Sequence, residues 1–300
     1  MIKTIRGALV GVAALITAGC GNPGDTSTDD TSENGKASID ASTKLGAVLA
    51  AQPAAVQARY QYRHPKETLE FLGLKPGMTV ADTLAGSYYS NILLPYLGDE
   101  GALIGVSYSM AHRALDYADM PERMARYRAW PATYVEEATE WRGVGKAKIS
   151  SFLFTELPDD MKGTVDAFLL FRAMHHLNKY EDKIGTRTQA FSDIYAALKP
   201  GGIVGIVQHR APADSDDEWA KGFNGYIKQA PLIENMTAAG FEFVGASEIN
   251  ANPKDQPGEG DFVWRLPPRL AGSEEGSEKR AQMEAIGESD RMTLKFRKPL

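Results

Sequence analysis

The sequence predicts an α/β fold built on a doubly wound, mostly parallel sheet of seven strands, with an antiparallel strand at the C-terminal end. Two observations support this fold class. Strand-like apolar runs alternate with helix-like runs over most of the 300 residues. The last two strand-like runs, in contrast, have no full helical pattern between them. Alternation implies parallel strands joined by right-handed crossovers, whereas the final pair can form a long antiparallel hairpin.

The predicted elements follow one another in order after residue 43. Two helical segments come first, LGAVLAAQ and AAVQARYQYRHPKETLEFLGL, and Pro65 divides the second of them. The strand TVAD, a helix ending at Gly98 and the strand ALIGVS come next. We predict a helical region from Ser109 to Trp141, with a break near Pro131. The remaining strands are KISSFLF, TVDAFLLF, IVGIVQH, FEFVGASEI and MTLKFRK, with helices between the fourth, fifth and sixth strands.

The first 20 residues, MIKTIRGALVGVAALITAGC, have the features of a secretory signal. Lys3 and Arg6 give a positive start, and the apolar segment that follows is too short to span a bilayer comfortably. The ending ITAGC resembles the lipobox of bacterial lipoproteins, in which the cysteine, here Cys20, is lipidated and becomes the mature N-terminus. Cys20 is the only cysteine of the chain and so cannot form an internal disulfide. The alternative is a secreted protein whose signal happens to end in cysteine.

We therefore predict three parts in the chain. Residues 1–20 are the lipoprotein signal, residues 21–43 are a flexible polar linker, and residues 44–300 are the folded domain with a polar insertion at about 250–290. The expected location is the periplasmic side of the cell envelope, on the outer membrane because Gly21 rather than aspartate follows the cysteine. A formal net charge of −6 without a basic stripe argues against nucleic acid as a partner.

The most specific motif is VDAFLLFRAMHHL, followed by AALKPGGIVGIVQH. This succession resembles the class I S-adenosylmethionine-dependent methyltransferases, and the resemblance extends from about Tyr60 to Leu300. YRHPKETLEFLGLKPGMTV and DRMTLKFRKP resemble, more narrowly, a group of predicted methyltransferases found as exported bacterial proteins. The resemblance implies the class I methyltransferase fold, S-adenosylmethionine as cofactor, and methylation of an unknown small molecule or envelope component.

The resemblance also implies that the stretch VADTLAGSYYS is the cofactor loop, because open α/β sheets bind ligands beyond the carboxyl ends of their strands. The family pattern has an acid after the first strand and then three alternating glycines. Asp82 and Gly86 match two of these positions, and Leu84 and Tyr88 stand at the other two if no gap is placed. The alternative is a loop one residue shorter than usual. Ser107 stands where the second strand of the family ends in a ribose-binding acid. The expected cofactor contacts are Asp82, Ala85, Gly86, Ser87, Tyr88, Ser107 and Phe171.

Candidate catalytic residues follow the fourth and fifth strands in FRAMHHL and QHRAP, and a third group lies in YRHP. Histidine can act as a base near neutral pH, and arginine can hold an anionic group. The histidines of these motifs are expected in loops. We predict catalytic roles for Arg172, His175, His176 and His209. We predict substrate or pocket roles for Tyr62, Arg63, His64 and Arg210.

The motifs also bear on a metal site, on a nicotinamide-dependent oxidoreductase and on a non-catalytic binding domain. No spacing of histidine, cysteine and carboxylates resembles a metal site, so no metal is predicted. A nicotinamide-dependent oxidoreductase is disfavoured because no G-x-G-x-x-G motif follows the first strand. A non-catalytic domain that binds another ligand or a protein partner in the same crevice stays open as the alternative. The distinction depends on whether Leu84, Tyr88 or Tyr89 fills the cofactor cavity or leaves a slot bordered by Asp82, Gly86, Ser107 and Phe171.

Overall fold

A seven-stranded mixed sheet organises residues 43–300, which are the residues that this computed structural model describes. The predicted signal, Cys20 and residues 21–42 of the predicted linker lie outside the described residues. The strands are β1 (Thr79–Thr83), β2 (Ala102–Ser107), β3 (Lys148–Leu153), β4 (Val165–Phe171), β5 (Leu198–His209), β6 (Glu242–Ser247) and β7 (Arg291–Arg297).

Helices cover both faces of this sheet. They are α1 (Lys44–Ala50), α2 (Ala54–Gln57), α3 (Tyr60–Arg63), α4 (Pro65–Leu72), α5 (Ser87–Leu97), α6 (Met110–Tyr117), α7 (Pro121–Arg142), α8 (Met174–Lys179), α9 (Glu181–Ile184), α10 (Thr186–Ala197), α11 (Gln229–Ala238) and α12 (Glu278–Ile286). Thr43 caps α1, where its Oγ1 accepts a hydrogen bond of 3.0 Å from the Gly46 N–H. Each helix among the described residues is too short or too polar to cross a membrane.

The strand order is β3-β2-β1-β4-β5-β7-β6. All pairings are parallel except those of β7, which runs antiparallel to both β5 and β6. The predicted fold class is therefore confirmed, including the antiparallel C-terminal strand. The order reverses between β1 and β4, so the carboxyl ends of these two strands border the crevice in which doubly wound folds bind ligands.

Two strand glycines let helices pack closely against the sheet. A Cβ added at Gly105 in β2 would lie 2.3 Å from the Tyr134 ring of α7, and one at Gly205 in β5 would lie 2.5 Å from Leu72 of α4. Tyr134 and Leu72 are almost completely buried. Each such buried side chain contributes roughly 1.5–3 kcal/mol of hydrophobic stabilisation.

The predicted break near Pro131 was wrong, because α7 continues through this proline. The chain instead breaks between Tyr117 and Pro121, where α6 ends and α7 begins with proline in its first turn. Proline inside a helix removes one backbone hydrogen bond, but packing against neighbouring strands can offset that loss. Here the Ser151 hydroxyl donates to the Pro131 carbonyl oxygen at 2.6 Å, and Tyr134 anchors the helix in the core.

Two further expectations about local structure need correction. His175 and His176 lie in the short helix α8 rather than in a loop, because six residues are too few for a helical period to be read from sequence. The single helix expected before β5 is divided into α9 and α10 by Gly185, which has a φ of 65°.

The segment predicted as a polar insertion folds back over the carboxyl end of β5. It contains α12 and a 3₁₀ turn at Val263–Arg265. Asp255 lies at its centre and accepts hydrogen bonds from the Tyr226 hydroxyl at 2.9 Å and from Arg265 at 3.0 Å. This segment thereby brings Trp264 to within 5.9 Å of the His175 ring, measured between ring centroids.

Candidate active site

The candidate site is the crevice at the carboxyl ends of β1, β2, β4 and β5. The parallel register sets Asp82 of β1 beside Gly105 of β2 and Leu169 of β4, so the loops after these strands converge. Asp82, Ser107 and Phe171 are all buried, with exposed fractions of 3%, 4% and 6%. These three side chains are therefore covered by neighbouring parts of the protein.

The loop after β1 takes its shape without glycine. Leu84 adopts the left-handed conformation with a φ of 56°, and its N–H donates to the Val106 carbonyl oxygen at 2.8 Å. Gly86 has an extended φ of −156°, and a Cβ added there would meet only the Leu84 oxygen at 3.9 Å. Leu84 thus occupies a conformation that glycine usually takes, whereas Gly86 is not sterically required.

The carboxyl group of Asp82 titrates near neutral pH. Burial raises the pKa of Asp82 to about 7, and the positive charge of Arg172 opposes this rise. When protonated, this carboxyl group can donate a hydrogen bond, and when ionised it can only accept one.

Two tyrosines of α5 fill the space between that helix and β4. The Tyr89 ring packs on Phe171 with centroids 4.6 Å apart, and Tyr88 lies edge-on to Tyr89 at 5.0 Å. The Arg63 guanidinium lies 4.4 Å from the centre of the Tyr88 ring. Of the other predicted loop contacts, Ala85 is buried and Ser87 is exposed.

Tyr108, which follows β2 directly, crosses the crevice. Its hydroxyl donates to the Ala173 carbonyl oxygen beyond β4 at 3.1 Å, and its ring stacks on His112 with centroids 4.5 Å apart. Arg113 donates to the Ser107 hydroxyl at 3.1 Å. Ser107, the residue at the ribose-binding position, is therefore engaged within the protein.

Tyr108, His112 and Arg113 were not predicted as site residues. The available signal was the segment YSMAHR directly after the second strand, where the fold directs side chains toward the crevice.

His175 is held in one tautomer by Gln208. The Gln208 amide nitrogen donates to the Gly225 carbonyl oxygen at 2.9 Å, which turns its oxygen toward His175 Nδ1 at 3.2 Å. His175 therefore donates from Nδ1 and keeps Nε2 as an unprotonated acceptor. Nε2 is buried and has no hydrogen-bond partner among residues 43–300. Burial lowers the pKa of His175 to about 4, so the ring is neutral at physiological pH.

The structure brings three of the predicted catalytic residues together. The His175 ring lies 4.0 Å from that of His176 and 5.5 Å from that of His209, measured between centroids. His209 Nδ1 lies 2.6 Å from the Ser289 hydroxyl oxygen. Burial lowers the pKa of both His176 and His209, so all three rings are neutral at pH 7. They can serve as neutral hydrogen-bond partners, but the lowered pKa values make them poor bases at pH 7, which argues against the predicted role as bases.

Residues of the YRHP motif approach the crevice from α3. Arg63 is buried and pairs with Glu288 at 3.3 Å, whereas Tyr62 contributes its carbonyl oxygen, which accepts from Arg291 at 2.7 Å. His64, with a φ of 37°, links α3 to α4, and burial lowers its pKa. Glu288 and Arg291 were not predicted, although ESDR immediately precedes the last strand.

Arg210 is the one predicted pocket residue that lies apart from the crevice. Its guanidinium is bound by Glu248 at 2.7 Å and by Asp290 at 2.8 Å. It lines a separate surface cleft of about 460 Å³ together with Lys228 and Gln229. Across residues 43–300, no group of three histidine, cysteine or carboxylate side chains is arranged to hold a metal ion.

Comparison with known proteins gives likeness in fold alone. No family model matches the sequence, and no curated protein matches it significantly. The [4+2]-cyclase SpnF is similar with a TM-score of 0.50 and 18% identity over 79% of this chain and 80% of that chain. A chain from the complex between the Haloferax volcanii Trm112 methyltransferase activator and the putative methyltransferase is also similar. Its TM-score is 0.50, with 16% identity over 86% of this chain and 96% of that chain. The described domain therefore has the class I methyltransferase fold.

Proposed function

We propose that the domain is a methyltransferase that uses S-adenosylmethionine to methylate a small molecule or an envelope component. The supporting observation is that buried polar side-chain atoms without a hydrogen-bond partner are concentrated at the crevice. Among residues 43–300, eight buried side-chain atoms lack a hydrogen-bond partner, and five belong to residues near the ends of β1, β2 and β4. Such atoms are rare and call for an explanation such as a catalytic role. The five are Thr83 Oγ1, Tyr88 Oη, His112 Nδ1, Arg113 Nε and His175 Nε2.

The crevice fits the cofactor better on one side than on the other. Near β1 and β4, Asp82 and Tyr88 offer polar atoms, and the N-terminus of α5 at Ser87 favours negatively charged groups. When bound, S-adenosylmethionine would supply an electrophilic methyl group there. Near β2, Tyr108 and Arg113 stand at the ribose-binding position, so we expect binding to need a rotation of the Tyr108 ring away from Ala173.

His175 is the residue best suited to position an acceptor group. Its neutral ring is fixed by Gln208, and its Nε2 lone pair has no partner among the described residues. This atom can accept a hydrogen bond from a nucleophilic hydroxyl or amine. Methyl transfer depends mainly on alignment, so the expected contribution of His175 is to orient the acceptor group.

A second candidate function is a non-catalytic domain that binds another ligand or a protein partner in the crevice. The closure of the β2 side by Tyr108 favours this alternative, as does the absence of a carboxylate at the Ser107 position. The similarity to a [4+2]-cyclase also supports a function other than methyl transfer, because one fold can host unrelated chemistries.

Calorimetric titration of the full chain with S-adenosylmethionine and S-adenosylhomocysteine separates the two functions. The methyltransferase predicts saturable binding and transfer of labelled methyl groups into an envelope extract. It also predicts that His175→Asn reduces transfer more than cofactor affinity. No heat and no thermal shift at millimolar ligand, in the wild type and in Tyr108→Phe, contradicts the methyltransferase and favours the second function.

We further propose that the chain is exported and anchored through a lipidated Cys20 on the periplasmic face of the outer membrane. The support is the basic start, the short apolar segment and the ending ITAGC. Cys20→Ser is expected to release the protein from the membrane fraction and to remove the lipid mass from its N-terminal peptide. Retention of Cys20→Ser in the outer membrane contradicts the anchor.

A further inference from the structure

Four arginines gather beside the crevice around a single glutamate. Arg59, Arg63 and Arg291 each pair with Glu288, and Arg172 lies close enough for their charges to act on it. We call Arg59, Arg63, Arg172 and Arg291 the arginine cluster. Arg59 and Arg63 come from the N-terminal segment that contains α3, whereas Arg172 follows β4 and Arg291 begins β7.

The sheet topology places this cluster on the side of the crevice away from β2. Arg172 follows β4 with a φ of 57°, and its N–H donates to the Val207 carbonyl oxygen of β5 at 2.6 Å. Arg291 begins β7 opposite His209, the last residue of β5. The cluster therefore lies over β4, β5 and β7, whereas the expected ribose position at Ser107 lies over β2.

The cluster carries more positive than negative charge. Glu288 accepts from Arg63 at 3.3 Å and pairs with Arg291 at 3.1 Å, and its other partner is Arg59. Within residues 43–300, the Arg172 guanidinium makes neither a hydrogen bond nor an ion pair. Glu288 is the carboxylate whose charge acts on Arg172, and the other three arginines of the cluster already share it. Asp82 of β1 also lies near, because the charge of Arg172 opposes the rise in the pKa of Asp82.

An uncompensated charge of this kind is unfavourable inside a protein. Arg63 and Arg291 are each only 3% exposed, and Arg172 is partly buried. Burial and the charges of Arg63 and Arg291 lower the pKa of Arg172 to about 9, so this guanidinium still carries its charge at neutral pH. An anion bound here would offset the repulsion between the arginine charges and accept hydrogen bonds from the planar set of N–H donors of the Arg172 guanidinium.

We infer that the arginine cluster binds an oxyanion, a carboxylate or phosphate group, carried by the acceptor substrate. The assignment to an acceptor rests on the proposed methyltransferase function, whereas the oxyanion site itself does not. Arg172 provides the free fork of donors, and Arg63 adds the Nη atoms that Glu288 leaves unused. His175 lies three residues after Arg172, so an acceptor held by its oxyanion would have its reacting group near Nε2.

The test measures thermal stability of the full chain in inorganic phosphate, in acetate and in chloride at equal ionic strength. The wild type is expected to show a saturable rise in melting temperature with phosphate or acetate. Arg172→Gln should melt higher than the wild type in chloride, because an unpaired charge is removed, and should bind the oxyanion roughly tenfold or more weakly. Arg172→Lys keeps the charge without the fork and should retain only part of the response.

Arg187→Gln is the matched control, since Arg187 is also a partly buried arginine but pairs with Asn178 and Glu181 outside the crevice. It should keep the full oxyanion response. The inference is overturned if the wild type shows no saturable response, or if Arg172→Gln melts lower and responds like the wild type.

The source of the oxyanion is tested by adding S-adenosylhomocysteine. Simultaneous binding of phosphate and S-adenosylhomocysteine supports an acceptor site, whereas competition between them assigns the oxyanion to the cofactor and overturns the acceptor assignment. If S-adenosylhomocysteine does not bind at all, the methyltransferase proposal fails, while the phosphate response still decides the oxyanion site.

Discussion

The Tyr108 hydroxyl donates a hydrogen bond of 3.1 Å to the Ala173 carbonyl oxygen, and this bond joins the end of β2 to the end of β4 across the end of β1. In the doubly wound fold a ligand lies across these same strand ends. A ligand bound across these strand ends would therefore compete with this internal contact.

Removing this contact should strengthen cofactor binding. A buried hydrogen bond between neutral groups contributes about 0.5–1.5 kcal/mol, so we expect Tyr108→Phe to raise the affinity for S-adenosylhomocysteine roughly two- to tenfold. Tyr134→Phe is the matched control, because it removes a buried hydroxyl bonded at 3.2 Å to Ser90, away from the strand ends. Both variants should lose similar stability in denaturant titrations. Equal affinities for all three proteins would show that Tyr108 does not oppose binding.

Asp82→Asn should make the protein more stable at neutral and higher pH. Burial raises the pKa of Asp82 from 3.8 to about 7, so its contribution to stability is complete below pH 3.8 and is lost as the pH rises through 7. The free energy of unfolding of Asp82→Asn minus that of the wild type should therefore increase between pH 4 and pH 8, by up to roughly 4 kcal/mol. Chemical denaturation at these two pH values measures the change, and a constant difference would contradict it.

His175 should make the protein sensitive to acid. Burial lowers its pKa from 6.5 to about 4, so the unfolded chain binds a proton in this range before the folded protein does. Stability attributable to His175 is thus present above pH 6.5 and is lost as the pH falls toward 4. Relative to His175→Asn, whose amide can still donate to Gln208, the wild type should lose roughly 3 kcal/mol between pH 7 and pH 4. An unchanged difference across these pH values would mean that the buried ring takes up a proton freely.

Gly105→Ala should destabilise the fold through overpacking. The added methyl group would lie 2.3 Å from the Tyr134 ring, and relief of such a clash typically costs about 1–3 kcal/mol. Gly245→Ala in β6 is the control, because no atom lies within 4 Å of its added Cβ. Thermal unfolding should separate the two variants. Equal melting temperatures would indicate that α7 shifts without penalty.

Local pattern and tertiary packing contributed differently to the predictions. The strands were recognisable because each is a short apolar run. The antiparallel β7 was expected because no full helical pattern was recognised between the last two strands, although the structure has α12 there. The break expected at Pro131 was wrong because Tyr134 and the sheet hold α7 together across the proline. The helix α8 was not predicted for a different reason, because six residues are too few to show a helical period in the sequence.

The candidate site was predictable where it follows strand ends and was missed elsewhere. Arg172, His175 and His209 were identified because they directly follow or end buried strands. Glu288 and Arg291 were not, because Glu288 pairs with Arg63 at a separation of 225 residues and Arg291 donates to the Tyr62 carbonyl oxygen at a separation of 229 residues. No local pattern encodes a contact of that separation.

The sequence by itself determined the fold class, the position of the crevice and the clustering of histidines at its border, because alternating apolar runs and strand ends are local features. Only the tertiary structure decided that Tyr108 crosses the crevice, that Gln208 fixes the tautomer of His175, and that four arginines surround one glutamate. These three relationships depend on which side chains meet and on how much water is excluded from them. The charge balance of the site and the pKa values of its residues follow from that packing. The spacing of residues along the chain does not specify the packing.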